Sequence, residues 1–346
     1  MTAYRLFNRP DRFAEGWYWA LDSRDLPPGA AVKLNLLGRE LALFRGEDGR
    51  AAALDAFCPH MGAHLGEGAV VGSRLRCLFH GWKYEVSGRC AEAPGAPGGC
   101  PPAAAKTASW PVAEQYGLIW VWTGSEARRP VPFVPELESA DIAWSHGASF
   151  VKDCHPNVVM VNAIDAHHFN TVHHLPVKLE MEPRVVNDNN VQFANATTVP
   201  RTSFLGRLIA PFYKGALTYW MSYWYGSTGS VTLGPDFLHF HIIFALRAGA
   251  GGKTEGRTLL VTKKRSGLVG WSVNRVLLFL TNLVGSYFAH GDTKIFRSIK
   301  FDLKTPVAVD RPILRFIEHL EKQGVSPWCR QAAGETAAPL REPVEA

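Results

Sequence analysis

Between residues 13 and 123 apolar residues come in short runs divided by turn-forming residues. "AAVKLNLLGRELALFRGEDGRAAALDAF" holds three such runs, split at Gly38-Arg39 and at Glu47-Asp48-Gly49, and predicts successive β-hairpins. "RLRCLFHGWKYEVSGRC" predicts a further pair around Ser87-Gly88. "YGLIWVWTG", Tyr116 to Gly124, predicts an aromatic strand that closes a small β domain, and "PGAPGGCPP" predicts a loop. The pattern changes after "RRPVPFVPELE". "NAIDAHHFNTVHH" lacks Gly and Pro and predicts helix. "FLHFHIIFALRA" and "TLLVTKKR" predict strands. "VDRPILRFIEHLEKQG" predicts an amphipathic helix ending near Gly324. The longest apolar stretch, Gly267 to Ala289, reaches membrane-spanning length but is interrupted by Asn274, Arg275 and Asn282. It predicts a buried or site-lining helix, with an interfacial membrane contact as the alternative.

This alternation defines an α+β chain. A β-rich domain over 13–125 precedes a larger α+β domain over 126–330, and 331–346 reads as a flexible tail. No repeat at a solenoid period is present. The 346 residues are 47% hydrophobic and 20% charged, within the range of globular proteins. The net charge of +6 is scattered, which argues against nucleic-acid binding and is compatible with an acidic protein partner. "MTAYRLFNRPDRFAEGWYW" does not read as a secretory signal. The six cysteines are too sparse for a disulfide scaffold, and a cytoplasmic setting is expected. Cys90 and Cys100 flank or lie in the Pro-Gly loop and are read as incidental.

Within "CPHMGAHLGEGAVVGSRLRCLFHGWKY", Cys58 and His60 form C-x-H. After sixteen residues Cys77 and His80 form C-x-x-H. Each limb offers one thiolate and one imidazole. Zinc fingers with two cysteines and two histidines segregate the types into a Cys limb and a His limb. A Rieske [2Fe–2S] centre needs two thiolates on one iron and two imidazoles on the other, so one of each per limb fits it. Gly62, Gly66 and Gly81 allow tight loops around it, and Pro59 stiffens the first.

In "CPHMGAHL" and "CLFHGWKY" the chain closely resembles the Rieske domain of Rieske non-haem iron oxygenases, terminal (alpha) component. The resemblance covers about residues 13 to 123. High-potential Rieske proteins carry an extra disulfide-forming cysteine in each loop. Ala63 and Phe79 stand in the corresponding neighbourhoods, which implies the low-potential oxygenase type.

"VNAIDAHHFNTVHH" places His167, His168, His173 and His174 within eight positions. Two imidazoles and a carboxylate form the facial triad of non-haem Fe(II). Spacing alone does not choose the pair. His168 and His173 lie about 140° apart around an ideal helix and would need a helix end to converge, whereas His167 and His174 share a face. The family's D-x2-H-x4-H is matched by Asp165, His168 and His173, which implies His168 and His173 as ligands and leaves His167 and His174 in supporting or surface roles. The resemblance makes Asp165 the bridge to a cluster histidine of the adjacent subunit. Asn162 lies on a nearby face. Downstream, Asp292 with Ile295 and Phe296 matches the family's third-ligand segment. Asp302 lacks that context, and Glu180 and Glu182 match nothing.

The resemblance implies a helix-grip-like catalytic domain after the Rieske domain. Its cofactors are a [2Fe–2S] cluster and one Fe(II), with O2 as co-substrate. No G-x-G-x-x-G follows a strand, so electrons are expected from a separate NAD(P)H-dependent reductase or ferredoxin. Head-to-tail homotrimers are implied as well. The monooxygenase branch, with aminopyrrolnitrin and steroid oxygenases, is the nearest in pattern. It implies hydroxylation, N-oxygenation, demethylation or desaturation of a bulky apolar or aromatic molecule. The aromatic-rich region 201–290, with Phe204, Phe212, Tyr213, Tyr219, Trp220 and Phe244 among its residues, is where a pocket is expected. The competing expectations are an electron-transfer or redox-sensing protein with an inactive C-terminal domain, and a zinc-stabilised binding module.

Overall fold

The structure is a computed structural model that describes residues 4–99, 101–173, 180–197, 217–235 and 238–330. The N-terminal part is built from β1 (Trp17–Asp22), β2 (Ala31–Leu36), β3 (Arg39–Arg45), β4 (Ala51–Asp55), β5 (Ala69–Val71), β6 (Arg74–Arg76), β7 (Lys83–Tyr84), β8 (Cys90–Glu92), β9 (Ser109–Trp110), β10 (Val112–Gln115) and β11 (Leu118–Trp122). They form three antiparallel sheets, ordered β1-β11-β10, β2-β3-β4-β9 and β5-β6-β7-β8. The hairpins turn where the sequence predicts. Gly38 and Gly49 sit at φ +84°, which a side chain resists and glycine accepts.

The remainder is a seven-stranded antiparallel sheet of β12 (Ile142–Lys152), β13 (Glu182–Asn187), β14 (Asn190–Thr197), β15 (Leu217–Trp224), β16 (Thr228–Pro235), β17 (Phe240–Ala248) and β18 (Thr254–Lys263). The strands β13 to β18 run as a meander, and β12 is added at the β18 edge. Among the described residues, four helices pack with it: α1 (Pro156–Asn162), α2 (His168–Thr171), α3 (Gly267–Phe296) and α4 (Arg311–Glu321).

This sheet is covered on both faces, and alternation along its strands shows how. Tyr223, Ile242, Leu246 and Leu260 join one core with Met160, Leu278 and Phe316 from the helices and Ile164 from the turn after α1. Their neighbours Trp224, Ile243, Leu259 and Val261 join another with Trp17, Leu118, Trp120 and Trp122. Strand β11 is therefore shared. Its Ile119 and Val121 face the N-terminal core, while Leu118, Trp120 and Trp122 face the large sheet. All five residues are buried, as in a strand covered on both sides. The aromatic strand expected to close a small domain also fastens that domain to the next.

Two expectations need correction. The stretch 162–173 is not one helix. α1 stops at Asn162, and α2 covers only four residues after an intervening turn. The Asp165 side chain explains the break, because its Oδ1 accepts the N–H groups of His167 and His168 and starts a new helix. The second is met in part: helix α3 forms and lines the cavity described below, as expected, but most of its apolar residues are exposed, so the buried alternative does not hold. It lies on β12, β17 and β18 with one face, and the opposite face is exposed.

Candidate metal centres

The first centre lies on two loops of the N-terminal part, after β4 and after β6. The loops share one construction. Cys58 N–H donates to Ala63 O, and Gly62 N–H donates back to Cys58 O. Cys77 N–H donates to Trp82 O, and Gly81 N–H donates back to Cys77 O. In both, the glycine four residues after the cysteine takes a positive φ, +78° at Gly62 and +73° at Gly81. That reversal tucks each cysteine inward and turns the histidine outward. Cys58 and Cys77 are buried, whereas His60 and His80 are exposed, with ring centroids 4.5 Å apart. Gly66 serves differently: a Cβ there would stand 2.7 Å from Val32 O, so the first loop can lie on β2 only without one.

Two contacts were not foreseen from the motif. Trp82 stacks on His60 with centroids 4.4 Å apart and planes 7° apart. The Tyr84 hydroxyl lies 3.0 Å from Cys58 Sγ, where it is the donor to a thiolate. Burial pushes the Cys58 thiol up, and the Tyr84 hydrogen bond pulls it back. A cation at the sulfur settles that contest in favour of thiolate. Cys90 is buried in the same core, and its thiol donates to Glu92 O. Cys100 lies outside the described residues.

The second centre joins the short helix to the long one. His168, His173 and Asp292 are buried, and their donor atoms all lie within 4.8 Å of one another. His173 Nε2 is 3.1 Å and His168 Nε2 is 3.7 Å from Asp292 Oδ1. Donors about 2.1 Å from one ion and about 90° apart would stand about 3 Å from each other, so the spacing suits a shared cation. The helix end supplies the convergence that a continuous helix would deny, because α2 stops at Thr171 before His173. His168 Nδ1–H donates to Asp165 O at 2.6 Å, which fixes the tautomer and leaves the Nε2 lone pair free. Asn162 Nδ2 lies 3.4 Å from that Nε2.

Among the described residues, Asp292 Oδ1 is buried and has no well-formed hydrogen-bond donor, with His173 Nε2 3.1 Å away. Burial drives its carboxyl upward, against the pull of His168 and then His173. A buried, unsatisfied carboxylate oxygen between two imidazole nitrogens is expensive unless a cation sits there. The donor set therefore fits a divalent metal. Gly291 permits the geometry, since a Cβ on it would lie 3.0 Å from His173 Cε1 and Nδ1. A glycine inside a helical pattern was the available signal for that role.

The three ligand candidates stand at the wall of a cavity of about 230 Å³. Phe150, Tyr219, Met221 and Phe244 come from the sheet, and Asn282 and Ala289 from α3. Lys152 enters the same space. Its Nζ donates to Thr293 Oγ1 at 2.6 Å and lies 5.6 Å and 5.7 Å from the ring centroids of Phe150 and Phe296. Burial lowers its pKa and the Asp292 charge raises it. Sequence reading gave no sign of Lys152. Among the aromatics expected to form the pocket, Tyr219 and Phe244 line it, and Tyr223 and Trp224 are core. Phe204, Phe212, Tyr213 and His174 lie outside the described residues. His167 is exposed, and the Asp165 carboxylate caps α2.

Sequence and fold comparisons place this chain beside known proteins. The Rieske [2Fe-2S] domain family matches residues 16–111. Over 168 residues, 47% of this chain and 36% of the relative, the chain is 34% identical to cholesterol 7-desaturase nvd of Bombyx mori. Over 171 residues, 48% of this chain and 42% of the relative, it is 36% identical to the probable 3-ketosteroid-9-alpha-monooxygenase, oxygenase component, of Rhodococcus rhodochrous. Both matches span less than half of the relative's own length. The crystal structure of dicamba monooxygenase bound to dicamba superposes with TM-score 0.60 at 21% identity, covering 93% of this chain and 99% of that one. Residues 16–111 thus match the Rieske [2Fe-2S] domain, which the chain joins to a seven-stranded sheet carrying a buried His-His-Asp cluster. In sequence over about half its length and in fold over most of it, the chain is similar to the monooxygenases named above.

Proposed function

We propose that the chain is the terminal component of a Rieske oxygenase. In this reading residues 13–125 hold a [2Fe–2S] cluster through Cys58, His60, Cys77 and His80. Residues 126–330 hold one iron through His168, His173 and Asp292. The observation that carries it is the convergence of those three buried donors at the wall of an apolar cavity. Iron bound there supplies O2 activation.

The chain's own residues supply the rest. His168 is held in one tautomer by the Asp165 carbonyl, so its lone pair faces Asp292 and His173. Three donors from one side leave the cavity side open. Phe150, Tyr219, Met221 and Phe244 keep water out and favour an apolar substrate. Among the described residues Lys152 is the cation in that lining, and in this reading it holds a substrate oxygen or carboxylate toward the Asp292 end. The relatives named for cholesterol and 3-ketosteroid support a sterol-like or similarly bulky apolar substrate. Desaturation and monooxygenation are named among them, and both would use the same ligand set.

Electrons come from a separate reductase or ferredoxin. They pass through His60 and His80, which stand exposed among exposed Met61, Leu78 and Phe79 and so invite contact with another protein surface. Transfer between neighbouring copies in a head-to-tail trimer, with Asp165 at the boundary, is part of this reading. Iron and acid-labile sulfide are the test. About three irons and two sulfides per chain are expected, with reductase-dependent O2 uptake in the presence of an apolar substrate. Two irons after anaerobic ferrous reconstitution would remove the second centre and leave an electron carrier.

A further inference from the structure

Helix α3 is built inside out. Its buried positions include Gly270, Asn274, Thr281 and Asp292, beside Leu278 and Phe296. The polar ones are provided for within the fold, as where Asn274 Nδ2 donates to Arg265 O and Thr281 Oγ1 to Leu277 O. Its exposed positions are apolar. Leu268 is 87%, Val269 79% and Phe279 61% exposed, and Val276, Leu283 and Tyr287 continue the face. From Val269 through Val273, Val276, Leu280 and Leu283 to Tyr287 the steps alternate four and three, so one stripe runs the length of the helix. Isolated exposed apolar residues are ordinary, but a continuous face of this length marks a contact surface.

The surrounding charge selects the partner. Exposed cations frame the face: Lys263, Lys264 and Arg265 before it, Arg275 against Trp271 at 4.9 Å, and Lys294, Arg297 and Lys300 after it. The single acid between residues 263 and 300 is Asp292, which is buried at the second centre. A second copy packed on this stripe would oppose basic ends to basic ends in either direction. An anionic bilayer neutralises them, and Trp271 and Tyr287 suit its headgroup boundary.

We propose that the outer face of α3 seats the protein on an anionic lipid surface, lying in the interface without crossing it. The inner face of the same helix contributes Asn282, Gly285, Ala289 and Asp292 to the cavity. Seating therefore brings the cavity within a helix diameter, about 10 Å, of the acyl chains. Supply of an apolar substrate from lipid rests on the oxygenase reading. Binding to lipid does not.

The test is flotation of the full chain with vesicles of phosphatidylglycerol and phosphatidylcholine in equal parts, against phosphatidylcholine alone. Wild type is expected to float with the anionic vesicles and to lose most of that binding in high salt. The double variant Val276→Glu/Leu283→Glu and, separately, Lys263→Glu/Lys264→Glu should each weaken binding at least about tenfold. The cluster's visible spectrum and the elution volume should not change in either variant. Wild type that stays with the pellet, or variants that float as well as it does, would overturn the proposal. So would a Val276→Glu/Leu283→Glu variant that elutes as a smaller species than wild type, since the face would then join copies of the chain.

Discussion

The two centres solve opposite problems. At the first, two loops of the same construction bury the thiols and expose the imidazoles, so charge can leave through the surface. At the second, both imidazoles and the carboxylate are buried, and the free side faces an apolar cavity. One is local: its ligands lie between residues 58 and 80 and depend on two glycines for their turns. The other is assembled from a helix end and a distant helix that meet across a large sheet. A local site tolerates change elsewhere in the chain. An assembled one depends on how β12, β18 and the helices pack.

This contrast breaks cleanly if the centres are separable. Asp292→Ala or His173→Ala should abolish iron binding at the second centre and lower substrate-dependent O2 uptake more than about 100-fold. The visible spectrum and its reduction should persist. Cys77→Ser should do the reverse, bleaching the spectrum while one iron remains bound. Loss of both signals in either variant would show that the centres fold as one unit.

Supporting contacts sharpen the comparison with smaller effects. Asn162→Leu should weaken iron affinity about 10- to 100-fold, read by chelator competition, with the cluster unchanged. Gly291→Ala should act at the same centre, by pressing a methyl on His173. Alanine otherwise favours a helix by about 1 kcal/mol, so thermal stability should hold while iron affinity falls. At the first centre Tyr84→Phe removes the hydrogen bond to Cys58 Sγ, which favours the more negative reduced cluster. The midpoint potential should drop by tens of millivolts, on the order of the 1–2 kcal/mol expected for one charge-assisted bond.

Acid should separate the two halves by the smallest margin. His155, His241 and His319 belong to the second half, and burial lowers each from 6.5 to about 4. The unfolded chain therefore takes up protons first as pH falls below about 6.5, and stability is lost from there down to about 4. Near-ultraviolet circular dichroism from the tryptophans around the large sheet should fade in that window. His319→Gln should flatten the dependence.

The candidate cluster residues stood out because C-x-H and C-x-x-H lie close together and mix ligand types within each limb. The second candidate set stood out through the family pattern, not through spacing. No periodicity shows that Asp165 restarts the chain as a new helix or that this helix ends at Thr171, and that end is what brings His168 and His173 together. Trp82 and Tyr84 stood inside the motif without an evident role, since residue type does not reveal which side chain meets which. Lys152 ends an edge strand sixteen residues before His168, and no motif marks it as a cavity residue. Helix α3 was legible as a helix. Its orientation was not, because apolar residues ordinarily point inward and here they point out.

The double burial of β11 makes this molecule hard to divide. A fragment ending at Gly124 would bare Trp17, Trp120 and Trp122, with Leu118, on one flank. The complementary fragment would bare Trp224, Ile243, Leu259 and Val261. Neither piece should stay soluble when produced alone, while co-production should let them find each other. Two halves joined along one tryptophan seam would be expressed and degraded together.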